Sequence, residues 1–235
     1  MKKTVGVLGG MGPEATASFL KRVIELTVAS CDQEHIPMLI DNNVMIPNRT
    51  AYLLDGGESP LVEILKSAVK LEMMGADLIV MPCNTAHYFY NDVKKFIGIP
   101  FINMIDEVAK YIKQKTKVNK VGLLATEGTY SAEIYETSFK KLDIDIITPR
   151  DEVKKELMRI ISEIKKGNKE ECFSKFKKIV MSLKKQGVQT IILGCTELSL
   201  LHRSLSDDIE INIEKIKLID PMDILARKVV VLASE

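Results

Sequence analysis

Two cysteines occupy one register in two similar stretches of the chain. Gly75-Ala-Asp-Leu-Ile-Val-Met-Pro-Cys83-Asn-Thr-Ala and Gly187-Val-Gln-Thr-Ile-Ile-Leu-Gly-Cys195-Thr-Glu-Leu each place a thiol eight residues after a glycine and directly after an apolar run. A matched pair of thiols suits proton transfer on opposite faces of one atom, because one sulfur can carry the proton while the other accepts it. If the two are close, their titrations are coupled and the apparent pKa values belong to the pair. The other cysteines, Cys31 and Cys172, lie in helix-like surroundings without turn glycines and are read as structural.

The likeness extends beyond the cysteines. Val5-Gly-Val-Leu-Gly returns as Val121-Gly-Leu-Leu-Ala, and Ile99-Pro-Phe-Ile-Asn-Met-Ile-Asp-Glu-Val-Ala109 returns as Ile216-Lys-Leu-Ile-Asp-Pro-Met-Asp-Ile-Leu-Ala226. With the cysteine segments these make three matches in chain order, at offsets of 116, 112 and 117 residues. Ordered matches at a nearly constant offset mark a duplicated unit.

Short β-branched runs alternate with stretches of helical period. Strands are predicted near 4–8, 37–42, 77–81, 99–102, 121–125, 143–147, 189–193 and 216–219, and helices near 13–30, 60–74, 84–96, 104–115, 130–141, 151–166, 169–186 and 221–233. The expected fold is therefore α/β, with two pseudo-symmetric duplicated domains, parallel sheets, and the site in the cleft between them. The expected division puts 1–103 with 216–235 in a first domain and 104–215 in a second.

Cys83 and Cys195 then fall at the carboxyl ends of strands, each just before a helix, where open α/β sheets bind ligands. A thiol near the positive end of a helix is expected to ionise below its usual pKa of about 8.5. Asn84-Thr85 and Thr196-Glu197 follow the two cysteines and offer side-chain caps. Together with the unpaired amides they form an anion site able to grip a carboxylate.

Composition excludes several classes. With 33 basic and 32 acidic residues, a net charge of +1 leaves no electrostatic footprint for nucleic acid or a membrane surface. No apolar run approaches the ~20 residues of a membrane span. Glycines interrupt the short apolar start, so no signal peptide is read there, and a reducing cytoplasm is the expected setting for the four cysteines.

Gly9-Gly-Met-Gly-Pro-Glu-Ala-Thr16, Pro47-Asn-Arg-Thr50, Pro82-Cys-Asn-Thr-Ala-His87 and Gly194-Cys-Thr-Glu-Leu198, in this order, resemble the aspartate/glutamate racemase family, most closely its aspartate racemase branch. The resemblance covers nearly the whole chain. It implies an isomerase with neither pyridoxal phosphate nor metal, commonly a homodimer, that interconverts L- and D-aspartate with Cys83 and Cys195 as the two acid/base groups. A glutamate or broad-specificity racemase is the alternative. It further implies that Met11, Arg49, Asn84, Thr85, Lys165 and Thr196 meet the substrate, an acidic amino acid held by Arg49 and Lys165 at its two carboxylates. Lys165 is preferred to its neighbour Lys166. Asn48 is a departure, since the family more often has Asp before the arginine.

Other classes read the same residues differently. Gly10-Met-Gly-Pro-Glu-Ala15 fits the G-x-G-x-x-A pattern of a dinucleotide-binding oxidoreductase, although the acidic residue expected about 20 positions on is missing. In the racemase reading these glycines let backbone approach the substrate. A metal site would join Cys83, His87 and Cys195, with His202 as a further ligand. A non-catalytic amino-acid sensor would explain the duplication and the carboxylate clamp but leave the thiols idle.

Overall fold

The structure, a computed structural model, describes residues 2–168, 170–203, 212–213 and 215–234. Strands β1 (Val5–Gly9), β2 (Met38–Asn42), β3 (Leu78–Val80) and β4 (Phe101–Ile102) form an all-parallel sheet in the order β2-β1-β3-β4. The second sheet takes β5 (Lys120–Ala125), β6 (Asp145–Ile147), β7 (Thr190–Gly194), β8 (Asn212–Ile213) and β9 (Ile216–Ile219). Its order is β6-β5-β7-β9-β8, with β8 the antiparallel edge. Apart from β8 the second order repeats the first strand for strand, as the duplicated sequence requires. One element departs from the expected division: β9 pairs with β7, so 216–219 belongs to the second sheet and not with 1–103.

Strand alternation builds three cores. Val5 and Val7 of β1, Leu78 and Val80 of β3, Val121, Leu123 and Ala125 of β5, and Ile192 of β7 share one central cluster. Leu8 and Ile79 face an outer cluster with Ile64, Ala68 and Leu71 of α3 (Leu61–Met73). Ile191 and Leu193 face another, with α8 (Asp151–Lys165) and α9 (Cys172–Lys184). Because strand side chains alternate faces, odd and even positions of one strand enter different cores.

The two halves are tied through the central cluster. Helix α5 (Met104–Lys115) follows β4 and packs on α7 (Glu136–Lys140), while α11 (Pro221–Ser234) follows β9 and packs on α1 (Pro13–Leu26) and on α5. Matched residues start both crossing helices. Asn103 Oδ1 accepts from the amides of Ile105 and Asp106, and Asp220 Oδ1 accepts from the Met222 amide.

Three helices differ from expectation. The stretch 84–96 divides into a 3-10 turn over Thr85–Phe89 and α4 (Tyr90–Lys94), and 130–141 divides into α6 (Glu127–Ser131) and α7. Arg49, expected in a loop, opens α2 (Arg49–Asp55). Asn48 makes that possible: its Oδ1 accepts from the Thr50 and Ala51 amides at 2.9 and 3.2 Å, so it caps the helix much as Asp would. No helix among the described residues is long and apolar enough to cross a membrane.

Candidate active site

All eight residues nominated for the site line one narrow cavity between the halves, joined by Asn48, Thr50, Thr126 and Glu197. Cys83, three residues beyond Val80 at the end of β3, and Cys195, next to Gly194 at the end of β7, are 6 % and 5 % exposed. Each lies at the carboxyl end of a parallel strand of its own sheet, and the two line one cavity. The cavity measures about 30 Å³, room for roughly two waters.

The matched cysteines have unmatched surroundings. Cys195 Sγ donates to Glu197 Oε2 at 2.9 Å, and Thr196 Oγ1 donates to the same oxygen at 3.2 Å. Burial, followed by the Glu197 charge and hydrogen bond, pushes the Cys195 thiol well above its ordinary pKa of 9.0; Lys165 acts weakly in the other direction. The expected lowering by the start of α10 (Thr196–Arg203) is therefore overridden at this cysteine. Burial, together with a carboxylate at hydrogen-bond distance from the sulfur, outweighs the partial charge of one helix end. The sequence gives Glu197 only a part in a cap and anion site; the signal it carries is a carboxylate two residues from Cys195. The first half has Thr85 in that position.

Asn84 does not cap. Its Oδ1 accepts from the hydroxyl of Tyr135, and its Nδ2 is buried without a hydrogen-bond partner. Thr85 Oγ1 lies 3.0 Å from both Thr126 Oγ1 and Thr129 Oγ1, which are themselves 3.0 Å apart. Three hydroxyls have three protons to share round that ring. The ring joins the 3-10 turn of the first half to α6 of the second.

Arg49 is anchored by its Nη1, which donates to the carbonyls of Ile46 and Pro47 at 3.2 and 2.8 Å, while its Nε is buried without a partner. Lys165 Nζ lies 3.6 Å from Glu197 Oε1, whereas Lys166 turns to Glu163 at 2.7 Å. Met11 lines the cavity from the loop after β1. Gly10, with φ of +89°, serves this loop in an unexpected way: a Cβ there would stand 2.3 Å from the Asn43 carbonyl oxygen. The glycine admits a neighbouring loop and not a ligand.

His87 is turned from the metal reading by its own bonds. Its Nδ1 lies 2.8 Å from the Cys83 carbonyl oxygen, and its Nε2 accepts from the Met104 amide at 3.1 Å. Both ring nitrogens are in use, and the second bond makes Nδ1 the protonated one. Among the described residues no group of three or more His, Cys, Asp or Glu is arranged to hold a metal ion. The His202 side chain lies outside the described residues. Of the cysteines read as structural, Cys172 is buried but Cys31 is exposed and adds nothing to the core.

Residues 8–229 match the family described as Asp/Glu/Hydantoin racemase. Over 211 residues, 88 % of this chain and 91 % of the other, the sequence is 30 % identical to the broad specificity amino-acid racemase RacX of Bacillus subtilis (strain 168). The fold superposes on Picrophilus torridus aspartate racemase with a TM-score of 0.84 and 29 % identity, covering 99 % of this chain and 94 % of that one. It superposes on an aspartate racemase homologue from Pyrococcus horikoshii OT3 with a TM-score of 0.77 and 30 % identity over the full length of both.

Proposed function

Because the chain belongs to the Asp/Glu/hydantoin racemase family, we propose that it racemises aspartate without a cofactor, Cys83 and Cys195 acting on opposite faces of Cα. The observation that carries this reading is the convergence, in one narrow cleft, of two cysteines from matched strand ends with a buried guanidinium Nε that has no partner. The unequal surroundings of the sulfurs suggest the resting state. Cys195, donating to Glu197, holds the proton, and Cys83 is left as the base. Cys83 takes the Cα proton, Cys195 delivers its own to the other face, and the enzyme is left with the two protonation states exchanged.

The negative charge released at Cα spreads into the α-carboxylate as the proton leaves. Donors aimed at that group stabilise the transition state more than the ground state. Asn84 Nδ2, buried without a partner in a residue that lines the cavity, is the donor placed for this. Arg49 takes the far carboxylate, for which a planar fork is suited.

A second reading has its own observation. Lys165 is half exposed and already has Glu197 as a partner, so a neutral substrate side chain would leave no buried charge unmatched there. That arrangement favours a wider substrate range, in line with the broad specificity of the Bacillus subtilis relative. We propose further that the protein works in the cytoplasm as a homodimer. Exposed Val62, Met73, Met74 and Phe96 offer an apolar face to a second copy, and sedimentation equilibrium reads the state directly.

Incubation with single enantiomers of aspartate, glutamate and alanine in deuterated water, followed by chiral separation and mass analysis, tests the proposal. Aspartate should racemise with deuterium at Cα, and Cys83→Ala and Cys195→Ala should each abolish racemisation while keeping the parent's circular dichroism. Arg49→Ala and Arg49→Lys should each cost on the order of 2–5 kcal/mol in kcat/KM for aspartate. Racemisation near the parent rate by either cysteine variant would remove the two-thiol mechanism, and turnover of alanine equal to that of aspartate would decide for the wider specificity.

A further inference from the structure

We infer that Tyr135, which touches neither cysteine in the hydrogen-bond network, is a positioning residue that sets the amide of Asn84 so that Nδ2 always donates into the cleft. The inference rests on the racemase reading and deepens it. Tyr135 comes from the second half, just before α7, and is fully buried in the central core with its ring against Phe139, centroids 5.8 Å apart. Its hydroxyl donates to Asn84 Oδ1, a residue 51 positions away and only 2 % exposed, which lines the cavity beside Cys83.

The two ends of a carboxamide are nearly the same size but opposite in hydrogen-bonding sense. With Oδ1 on the phenol, Nδ2 faces the cleft, and it is buried there with no partner in the protein. An unpaired buried donor costs about 1–3 kcal/mol, which a carboxylate in the cleft would recover. Rotating the amide by half a turn would aim a carbonyl oxygen at that carboxylate. It would also strand the phenol proton, because Asn84 is the one hydrogen-bond acceptor found for it among the described residues. Burial, reinforced by the charges of Asp220, Cys195 and Glu136, holds the phenol protonated well beyond its ordinary pKa of 10.0. The latch therefore keeps its proton over the whole range in which a thiol pair works.

Since Asn84 follows Cys83 directly, the carboxylate it meets is the one on the reacting carbon, where charge grows as the proton leaves. The test measures kcat and KM for aspartate in the parent, Tyr135→Phe, Asn84→Ala and the double variant, with thermal melts to show that each is folded. Tyr135→Phe keeps the ring and its packing, and should lower kcat/KM about tenfold with much of the loss in kcat. Adding Tyr135→Phe to Asn84→Ala should cost less than a further twofold, because the latch then has nothing to hold. A merely structural role would add its full effect in the double variant. A Tyr135→Phe enzyme within twofold of an active parent, or a double variant tenfold worse than Asn84→Ala, overturns the inference and leaves the racemase standing. A parent that exchanges no α-proton of any acidic amino acid removes both.

Discussion

At the residue scale the site is a pair of like sulfurs made unlike by one carboxylate. Glu197 accepts the Cys195 proton and, with burial, keeps that thiol protonated above its ordinary 9.0. Glu197→Gln keeps the shape and loses the charge, so the Cys195 pKa should fall. The alkaline limb of kcat/KM should then move to lower pH, and iodoacetamide should alkylate Cys195 faster at pH 8. An alkaline limb identical to the parent's would show that the carboxylate does not hold the proton. The same shift has a stability consequence with a definite sign. Above pH 9.0 the unfolded chain releases a proton that the folded one retains, so the contribution is complete below 9.0 and declines as pH rises. In Cys195→Ser that part of the alkaline decline should be absent from urea unfolding curves.

Elements are joined at the site by His87. It ties the Cys83 carbonyl to the first amide of α5, so the turn bearing one cysteine and the start of a crossing helix are held by one ring. Burial dominates and pushes its pKa from 6.5 down to about 4, with the Cys83 hydrogen bond and Asp106 acting weakly the other way. The stability this neutral ring contributes is complete above pH 6.5 and is lost as pH falls towards 4. By linkage the loss amounts to about 3 kcal/mol. Urea unfolding of the parent between pH 7 and 4 should show that slope. His87→Gln, which can still donate and accept but does not titrate, should flatten it, and an equal slope in both proteins would assign the acid sensitivity to other groups.

At the scale of the whole molecule, the cleft closes where α2 of the first half meets α6 of the second. A Cβ on Gly128 would stand 3.0 Å from both Cα and Oγ1 of Thr50 and 3.3 Å from Leu53 Cδ1, so the missing side chain is what lets these helices touch. Gly128→Val should hold them apart by roughly a methyl's width. Arg49, at the start of α2, would then be misplaced against cysteines that have not moved. Misplacement on this scale costs on the order of a hundredfold in rate, so kcat/KM for aspartate should fall steeply while the melting temperature changes little. Parent-like kinetics in Gly128→Val would mean that the contact does not govern closure.

The sequence by itself carried the duplication, and with it the repeated strand order and the placing of each thiol at the carboxyl end of a strand. A conserved offset between halves dictates equal topology, and parallel strands deliver their carboxyl ends to the same side. It also carried enough of the motif residues to bring Met11, Arg49, Asn84, Thr85, Lys165 and Thr196 to that cleft. Helix α2 was legible in principle, since Asn48 is a good cap, but a seven-residue helix has too few turns for periodicity to register. What tertiary structure decided is everything that distinguishes the halves. Strand β8, the antiparallel edge of the second sheet, has no counterpart in the first among the described residues. The phenol that orients Asn84 and the threonines that bind Thr85 come from positions 41 to 51 residues away. Cys195 ionises with difficulty because burial and a carboxylate act on it through space, a balance that depends on distances no spacing along the chain can express.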